Sequence, residues 1–553
     1  MQLRRLTFLV HCTTPCLLMY ACGAAGADPP SSDTAVRATV TVTVNPASKR
    51  PISPYIYGIN VATKLEGIPS GLTLDRAGGN RWTAYNWETN ASNAGSDYLY
   101  QNDDSISRDS QAGAGVAELI ADDRKKGMAS LITFQLQGLV AGDTKGPVAT
   151  TKPPDRKRFK KVVYEKKTAS REPFTLKPSV TDDNVYMDEF IWALDRKFAG
   201  QNIFGKQPAT QPVFADLDNE PELWKSTHLE VQGPTGVSSD DYIAKTLALA
   251  TALKKQFPDV VIFGPGNYGF LGMYNWNGEL SASPFSNDWF IDKYLAALKS
   301  AAAVFGRPLV DVYDFHWYPE ATDSGGTRVN TLMNPNLNPD QVQAIVQSPR
   351  SLWDKTYKER SWVINTIGQP IDILDRVQAR IDAENPGMKI AITEYNNGGG
   401  QHIAGTIAQA DNLGIFGARG VFAANMWLLQ AKEPYSLAGF RAYRNFDGAG
   451  HNFGDTSLQA TSGNVANVAV YVSTDSSRAG RVVMVAINRS PSDQVAAING
   501  QPLSGTAHLF QLTAASAAKH PTIQPVAAGE QPVSGSSLTL TLPALSVTTV
   551  DIY

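Results

Sequence analysis

The sequence predicts an α/β protein: a (β/α)8 TIM-like barrel with a second, smaller C-terminal β-sandwich domain. Three observations carry that prediction. Eight apolar, β-branched segments between residues 55 and 429 alternate mostly with helix-like stretches, polar residues gather where those segments end, and from about residue 435 the pattern changes to short alternating strands separated by Gly, Ser and Pro. A parallel barrel buries its strand bodies and opens its site at their C-terminal ends, and a two-layer β domain produces the later pattern.

In chain order the barrel strands are "YIYGIN" (55–60), "LTLDRAGGN" (72–80), "ASLITFQLQ" (129–137), "PVFADLDNE" (212–220), "VVIFGPGN" (260–267), "VDVYDFHWYP" (310–319), "KIAITEYN" (389–396) and "GVFAANMWLL" (420–429). Helical spacing of apolar residues is clear at 188–198, 241–257 and 370–385. An earlier strand, "RATVTVTVNP" (37–46), alternates strictly and has no partner in the barrel, so it is assigned to the sandwich. The expected domains are an export signal and linker (1–36), a strand joining the sandwich (37–50), the barrel (51–434) and the sandwich (435–553).

A chain of 553 residues exceeds one ordinary core, and 42% hydrophobic with 18% charged residues describes a globular protein. A net charge of -3 gives no field that would recruit nucleic acid or an acidic membrane, so no nucleic-acid partner is expected. The Lys- and Arg-rich stretch at 151–172 alternates like an exposed hairpin, and solvated charge explains it better than an anionic-polymer patch.

All three cysteines, Cys12, Cys16 and Cys22, lie in the first 22 residues beside Arg4, Arg5 and two apolar runs. This resembles a bacterial export signal, with "MYAC" a loose lipobox at Cys22. Secretion and outer-surface lipoprotein anchoring both remain open. The apolar run is too short for a transmembrane helix, and a mature chain would hold no disulfide. A monomer is expected.

The chemistry concentrates in two glutamates at strand ends, Glu220 in "DNEPELW" and Glu394 in "AITEYNNGGG". Cleaving a glycosidic bond with retention needs two carboxyl groups about 5–5.5 Å apart, one protonated and one ionised. Asn219 can bind the sugar 2-hydroxyl, and Pro221 fixes the turn that aims the acid. Asp216 and Asp218 are assigned structural partners near the mouth, and Glu222 is assigned to solvent.

"NEP" on strand four with a Glu on strand seven resembles the retaining glycosidases of the (β/α)8 clan A. The longer blocks "RAGGNRWTAYNWETNASNAGSDY", "VYMDEF", "DLDNEPELW", "DFHWYP", "SLWDKTYKERSW" and "TEYNNGGG" resemble glycoside hydrolase family 44. The resemblance implies an endoglucanase or xyloglucanase in which Glu220 is the acid/base and Glu394 the nucleophile. The extra Asn and Gly after Glu394 depart from the family pattern.

The mechanism asks that Glu220 be raised by nearby negative charge and Glu394 be held ionised by donors. Arg76 and Tyr318 are the candidate donors, although Arg76 could instead pair with Asp75 or Asp97. His316 is either a site residue or a satisfied core histidine. Sugars present C–H faces to flat rings, so Trp82, Tyr85, Trp87, Trp224, Trp276, Trp317, Trp353 and Trp427 form a candidate binding set, with core packing the competing explanation for each. Trp427 is the expected platform under the sugar that is cut.

No cofactor is required by this chemistry. Members of the resembled family can carry a structural calcium, and Asp182, Asp183 and Asp188 could bind one, or could simply be a solvated helix N-terminus. The expected partner is a β-1,4-glucan or xyloglucan chain. Competing expectations are a related mannanase or xylanase, and a non-catalytic glucan-binding barrel.

Overall fold

The computed structural model describes residues 39–206, 211–517 and 522–553. The export signal, Cys22 and the linker lie outside the described residues.

Strand β1 (Val40–Pro51) begins with the alternation Val-Thr-Val-Thr-Val, and its valines point inward. The barrel follows with β2 (Tyr55–Asn60), β3 (Leu74–Ala77), β4 (Ala129–Thr133), β5 (Val213–Asp216), β6 (Ile262–Asn267), β7 (Val312–Trp317), β8 (Lys389–Tyr395) and β9 (Ala423–Met426). Each lies inside one of the eight segments read from sequence. All neighbouring pairs are parallel, and β9 pairs with β2 to close the ring.

These strands are buried on both faces, which is why their sequences are continuously apolar rather than alternating. Inside the N-terminal end of the barrel, Leu74, Leu131, Phe214, Phe263, Val312, Ala391 and Ala423 fill the lumen. Phe422 and Tyr55 close the plug by packing edge-on against Phe214. The lumen is therefore solid below, and polar groups are left only at the strands' C-terminal ends.

Around the ring, helices α1 (Met187–Lys197), α2 (Ser239–Gln256), α3 (Ile373–Glu384) and α4 (Ile403–Arg419) cover the outer face. Ser238 caps α2 by accepting the Asp241 N–H. The basic stretch after β4 is more built-in than an exposed hairpin. Its residues Phe159–Val163 form the middle strand of a small sheet between Leu139–Ala141 and Asn184–Tyr186. Lys166 is buried on Glu189 at 2.8 Å.

The C-terminal domain comprises β10 (Thr456–Ser462), β11 (Val468–Thr474), β12 (Val482–Asn488), β13 (Gln494–Leu512), β14 (Val526–Leu542) and β15 (Ser546–Ile552), together with β1. Its sandwich is one continuous sheet, in the order β1-β10-β11-β12-β15-β13-β14, and β1 also pairs in parallel with β13. That extra pairing rolls the sheet until its inner faces meet in a core of Val42, Val44, Val470, Val472, Met484 and Leu540.

Helix α4 is buried on nearly its whole length because it lies between barrel and sheet. On it, Asp411 receives the Arg489 guanidinium at 2.6 Å and the Tyr471 hydroxyl at 2.6 Å. Arg489 and Asp411 have no solvent-exposed side-chain surface. Among the described residues no helix is long and apolar enough to cross a membrane.

Candidate active site

At the open end of the barrel, Glu220 follows β5 and Glu394 lies near the end of β8. One carboxylate oxygen of each, together with a His316 ring nitrogen, lie within 4.8 Å of one another. The positions are set by register: His316 on β7 sits opposite Glu394 on β8, at an irregularity that follows Phe315. Glu220 has left-handed backbone, φ 43°, immediately before Pro221. Such a conformation in a residue other than glycine costs about 1–3 kcal/mol and needs surroundings that enforce it. Here the Glu220 N–H donates to the Gly266 carbonyl at 3.0 Å. Asp218, also left-handed, accepts the N–H groups of Leu136, Gln137 and Asn219 and ties the turn to the end of β4.

Arg76, fully buried on β3, organises the floor. Its Nη1 donates to Glu394 Oε1 at 2.7 Å, its Nε to Asp216 at 2.9 Å, its Nη2 to Asn219 Oδ1 at 3.1 Å and its Nη1 also to Asn60 at 3.2 Å. Burial opposes the guanidinium charge, while Asp216, Glu394 and Asp314 push its pKa up, so it stays a cation. Its carboxylate partners are thus Asp216 and Glu394, not Asp75 or Asp97. Asp75 accepts the Ala62 N–H, and Asp97 accepts the Asn80 side chain.

Glu394 Oε2 also receives the Tyr318 hydroxyl at 2.9 Å. Two donors therefore converge on one carboxylate and fix its orientation. Glu220 is treated differently. It is 9% exposed, and burial raises its pKa to about 8, with Arg76 opposing and Asp97 adding. The expected cause was a neighbouring negative charge, but loss of water is the larger effect.

His316 is fully buried, its Nδ1 2.8 Å from Glu220 Oε1 and 3.5 Å from Glu394 Oε2. Burial lowers its pKa to about 3, with Arg76 reinforcing and Glu394 opposing, so it is a neutral imidazole. The neutral ring shares one hydrogen with Glu220, donating to the carboxylate or accepting from the acid.

Trp427, half-buried just beyond β9, lies against the backbone of Gly79. A Cβ built on Gly79 would come 2.8 Å from the indole, so only glycine allows this approach. Trp353 does not join the site. It packs beside Arg419, 4.9 Å from the guanidinium to the ring, at the far end of α4 from the strand ends. The segment that carries it descends the outside of the barrel, which sequence alone could not reveal. Trp82, Tyr85, Trp87, Trp224, Trp276 and Trp317 are likewise buried in the core and offer no platform.

Four residues of the neighbourhood escaped the sequence reading. Tyr268 stacks on Tyr318 with ring centres 6.4 Å apart. Arg328 donates to the Tyr318 carbonyl at 2.8 Å. Trp362 stays 38% exposed beside a pocket of about 190 Å³ lined also by Phe270 and Trp317. Glu222, assigned to solvent, is 4% exposed and accepts the Tyr268 N–H at 2.8 Å. An alternating acid beside a proline gave no hint of that burial.

The loop after Glu394 is tightly specified. Asn396 donates to the Trp427 carbonyl at 2.8 Å and to Glu433 at 2.9 Å, and Asn397 donates to Ser348 at 2.7 Å. Gly398 has φ 81°, and a Cβ there would meet the Val329 carbonyl oxygen at 2.0 Å. Both Asp188 oxygens accept the Lys166 N–H at 3.0 Å, and Asp182 accepts that of Asn184.

The family model described as glycoside hydrolase family 44 matches residues 91–321. Endoglucanase A of Paenibacillus lautus is 37% identical over 479 residues, which are 84% of this chain and 66% of that protein. Beta-mannanase/endoglucanase A of Caldicellulosiruptor saccharolyticus is 36% identical over 472 residues, 82% of this chain and 34% of that protein. The chain thus spans under two thirds of the length of these two curated relatives. The solved structure of a Paenibacillus polymyxa family 44 xyloglucanase with xyloglucan superposes with a TM-score of 0.84 at 33% identity, covering 93% of this chain and 99% of that one.

Proposed function

The chain belongs to glycoside hydrolase family 44, and on that premise we propose that it is a retaining endo-β-1,4-glucanase acting inside cellulose-like chains or xyloglucan. One observation carries the reading: Glu220 and Glu394 present oxygens within 4.8 Å of each other. Retaining enzymes hold their carboxyl groups about 5–5.5 Å apart, whereas inverting ones leave about 6.5–9.5 Å for a water.

The division of labour follows from the surroundings. Glu394, held by Arg76 and Tyr318, attacks the anomeric carbon as the C–O bond to the leaving glucosyl unit breaks. Glu220, protonated because burial raises its pKa to about 8, delivers that proton to the leaving oxygen. The resulting Glu220 carboxylate then takes a proton from water, the hydroxide attacks the glycosyl carbon, and Glu394 leaves as a carboxylate. Acid, base and nucleophile all come from the chain, so the reaction uses no cofactor. Asn219, with its oxygen fixed by Arg76, binds the 2-hydroxyl, and Trp427 stacks under the sugar.

Polymeric glucan is met outside the cell, and an exported enzyme, free or held through lipid on Cys22, meets it there. Hydrolysis of cellulose, xyloglucan, mannan and xylan, with the anomer of the first product recorded by NMR, tests the proposal. Retained configuration on a glucan is expected. An inverted anomer, or full turnover by Glu394→Ala, would overturn it.

A further inference from the structure

Glu222 is a buried carboxyl group that the double displacement does not use. It stands two residues beyond Glu220, 4% exposed, at the start of the turn after β5. Its Oε1 accepts the Tyr268 N–H at 2.8 Å, and its Oε2 lies 3.5 Å from the Asn267 amide nitrogen. The space it fills is reserved for it: a Cβ on Gly272 would come 1.7 Å from Oε1. Asn267 is fixed in turn by the Tyr313 hydroxyl at 3.0 Å. The backbone that Glu222 holds, at the end of β6, is the one that carries the Tyr268 ring.

That ring has one conspicuous neighbour. Tyr268 and Tyr318 stack with centroids 6.4 Å apart and planes 28° from parallel. Arg328 brackets the pair, reaching the Tyr268 hydroxyl at 3.4 Å and the Tyr318 carbonyl at 2.8 Å. Tyr318 then donates to Glu394 Oε2 at 2.9 Å. The ends of β5, β6, β7 and β8 are thereby joined in one series: carboxyl to backbone amide, ring to ring, hydroxyl to carboxylate.

We propose that Glu222 is a positioning residue for the nucleophile: it sets Tyr268, whose ring sets the Tyr318 hydroxyl on Glu394. A side chain that merely filled space would need no acceptor aimed at the Tyr268 N–H. The assignment rests on the reading of Glu394 as nucleophile. A Tyr318 hydroxyl out of place removes one of the two donors that hold the Glu394 carboxylate in position to attack, so the chemical step slows while substrate binding is spared.

The test is the split between kcat and KM in the full chain on a soluble glucan. Glu222→Ala should lower kcat about tenfold and leave KM nearly unchanged, the size expected for one displaced hydrogen bond to a charge. Glu222→Gln keeps an oxygen for the Tyr268 N–H and should restore the wild-type kcat. Tyr268→Leu removes the ring while leaving the amide on Glu222, and should reproduce the fall in kcat even if Glu222→Ala folds poorly. Tyr318→Phe should show the fall at its full size, and Glu222→Ala added to it should lower kcat no further. An unchanged kcat in Glu222→Ala and Tyr268→Leu, with only thermal stability reduced, would overturn the inference, as would additive losses. Trapping with a 2-fluoroglycoside separates the two levels. Labelling of Glu394 with an unchanged kcat refutes the role of Glu222 alone, whereas labelling elsewhere refutes the nucleophile assignment itself.

Discussion

Arg76 meets Glu394 at 2.7 Å from a site with no exposed side-chain surface of its own. The same guanidinium balances Asp216, so its removal strands two buried carboxylates at once. Breaking a buried pair from one side costs about 3–5 kcal/mol. Arg76→Ala should therefore lose activity and fold stability together, measured by turnover and by urea denaturation. Arg76→Lys keeps the charge without the fork and should recover more stability than activity, because one ammonium cannot reach Glu394, Asp216 and Asn219 in the same geometry.

Glu220 needs its proton to act as an acid, and its pKa is raised to about 8 by burial. The kcat/KM of the free enzyme should fall above about pH 8, tenfold per pH unit. The stability effect has a definite sign. The folded state binds the Glu220 proton more tightly than the unfolded chain, so this stabilisation is complete at acid pH and is lost as pH rises through about 8. Glu220→Gln, which carries no ionisable group, should lose less stability than wild type between pH 5 and about 9, read by thermal melts across that range.

On polymer, the same Glu220→Gln change should lower kcat by about 10²–10⁴. A β-cellobioside of an acidic phenol leaves without protonation, so its first-step rate should fall far less. Equal losses on both substrates would take the acid role away from Glu220.

The two tryptophans nominated together should separate cleanly. Trp427→Ala removes a half-buried ring beside Gly79 at the mouth, and should raise KM for soluble glucan while leaving the melting temperature nearly unchanged. Trp353→Ala removes a ring that packs on Arg419, and should lower the melting temperature while leaving KM alone.

Arg489 and Asp411 join β12 to α4 with no solvent contact. Arg489→Met should cost about 3–5 kcal/mol of stability by leaving Asp411 uncompensated. The active-site residues are untouched, so kcat measured well below the melting temperature should hold.

What could be read in the chain without coordinates has a physical pattern. All eight barrel strands were legible because burial on both faces writes itself as an unbroken apolar run. Glu220, Glu394, Arg76, His316 and Tyr318 were legible as a group because a parallel barrel brings every strand end to one rim. Contacts made by loops were not. Glu222 looked like a surface acid because its burial depends on Gly272 and on the path of the chain after β6, neither of which is local to "NEPE". The tryptophans looked like platforms because a large ring in a connecting segment has the same composition whether it faces sugar or core. The origin of the Glu220 shift was hidden for the same reason, since burial depends on everything packed around the group.

β1 precedes the barrel in sequence yet pairs with β10 and with β13, Val40 lying opposite Ala496. The barrel is thus a loop of the β domain, enormously enlarged. At a synthesis rate of about 5–20 residues per second, tens of seconds separate the appearance of β1 from that of its parallel neighbour. During that interval β1 is an unpaired edge of alternating valines and threonines, the kind of strand that aggregates when left open. A holdase that covers this segment until the last strands arrive would raise the yield of active enzyme. Cutting the gene at the C-terminal boundary of the barrel would leave two fragments, each missing a partner that only the intact chain supplies.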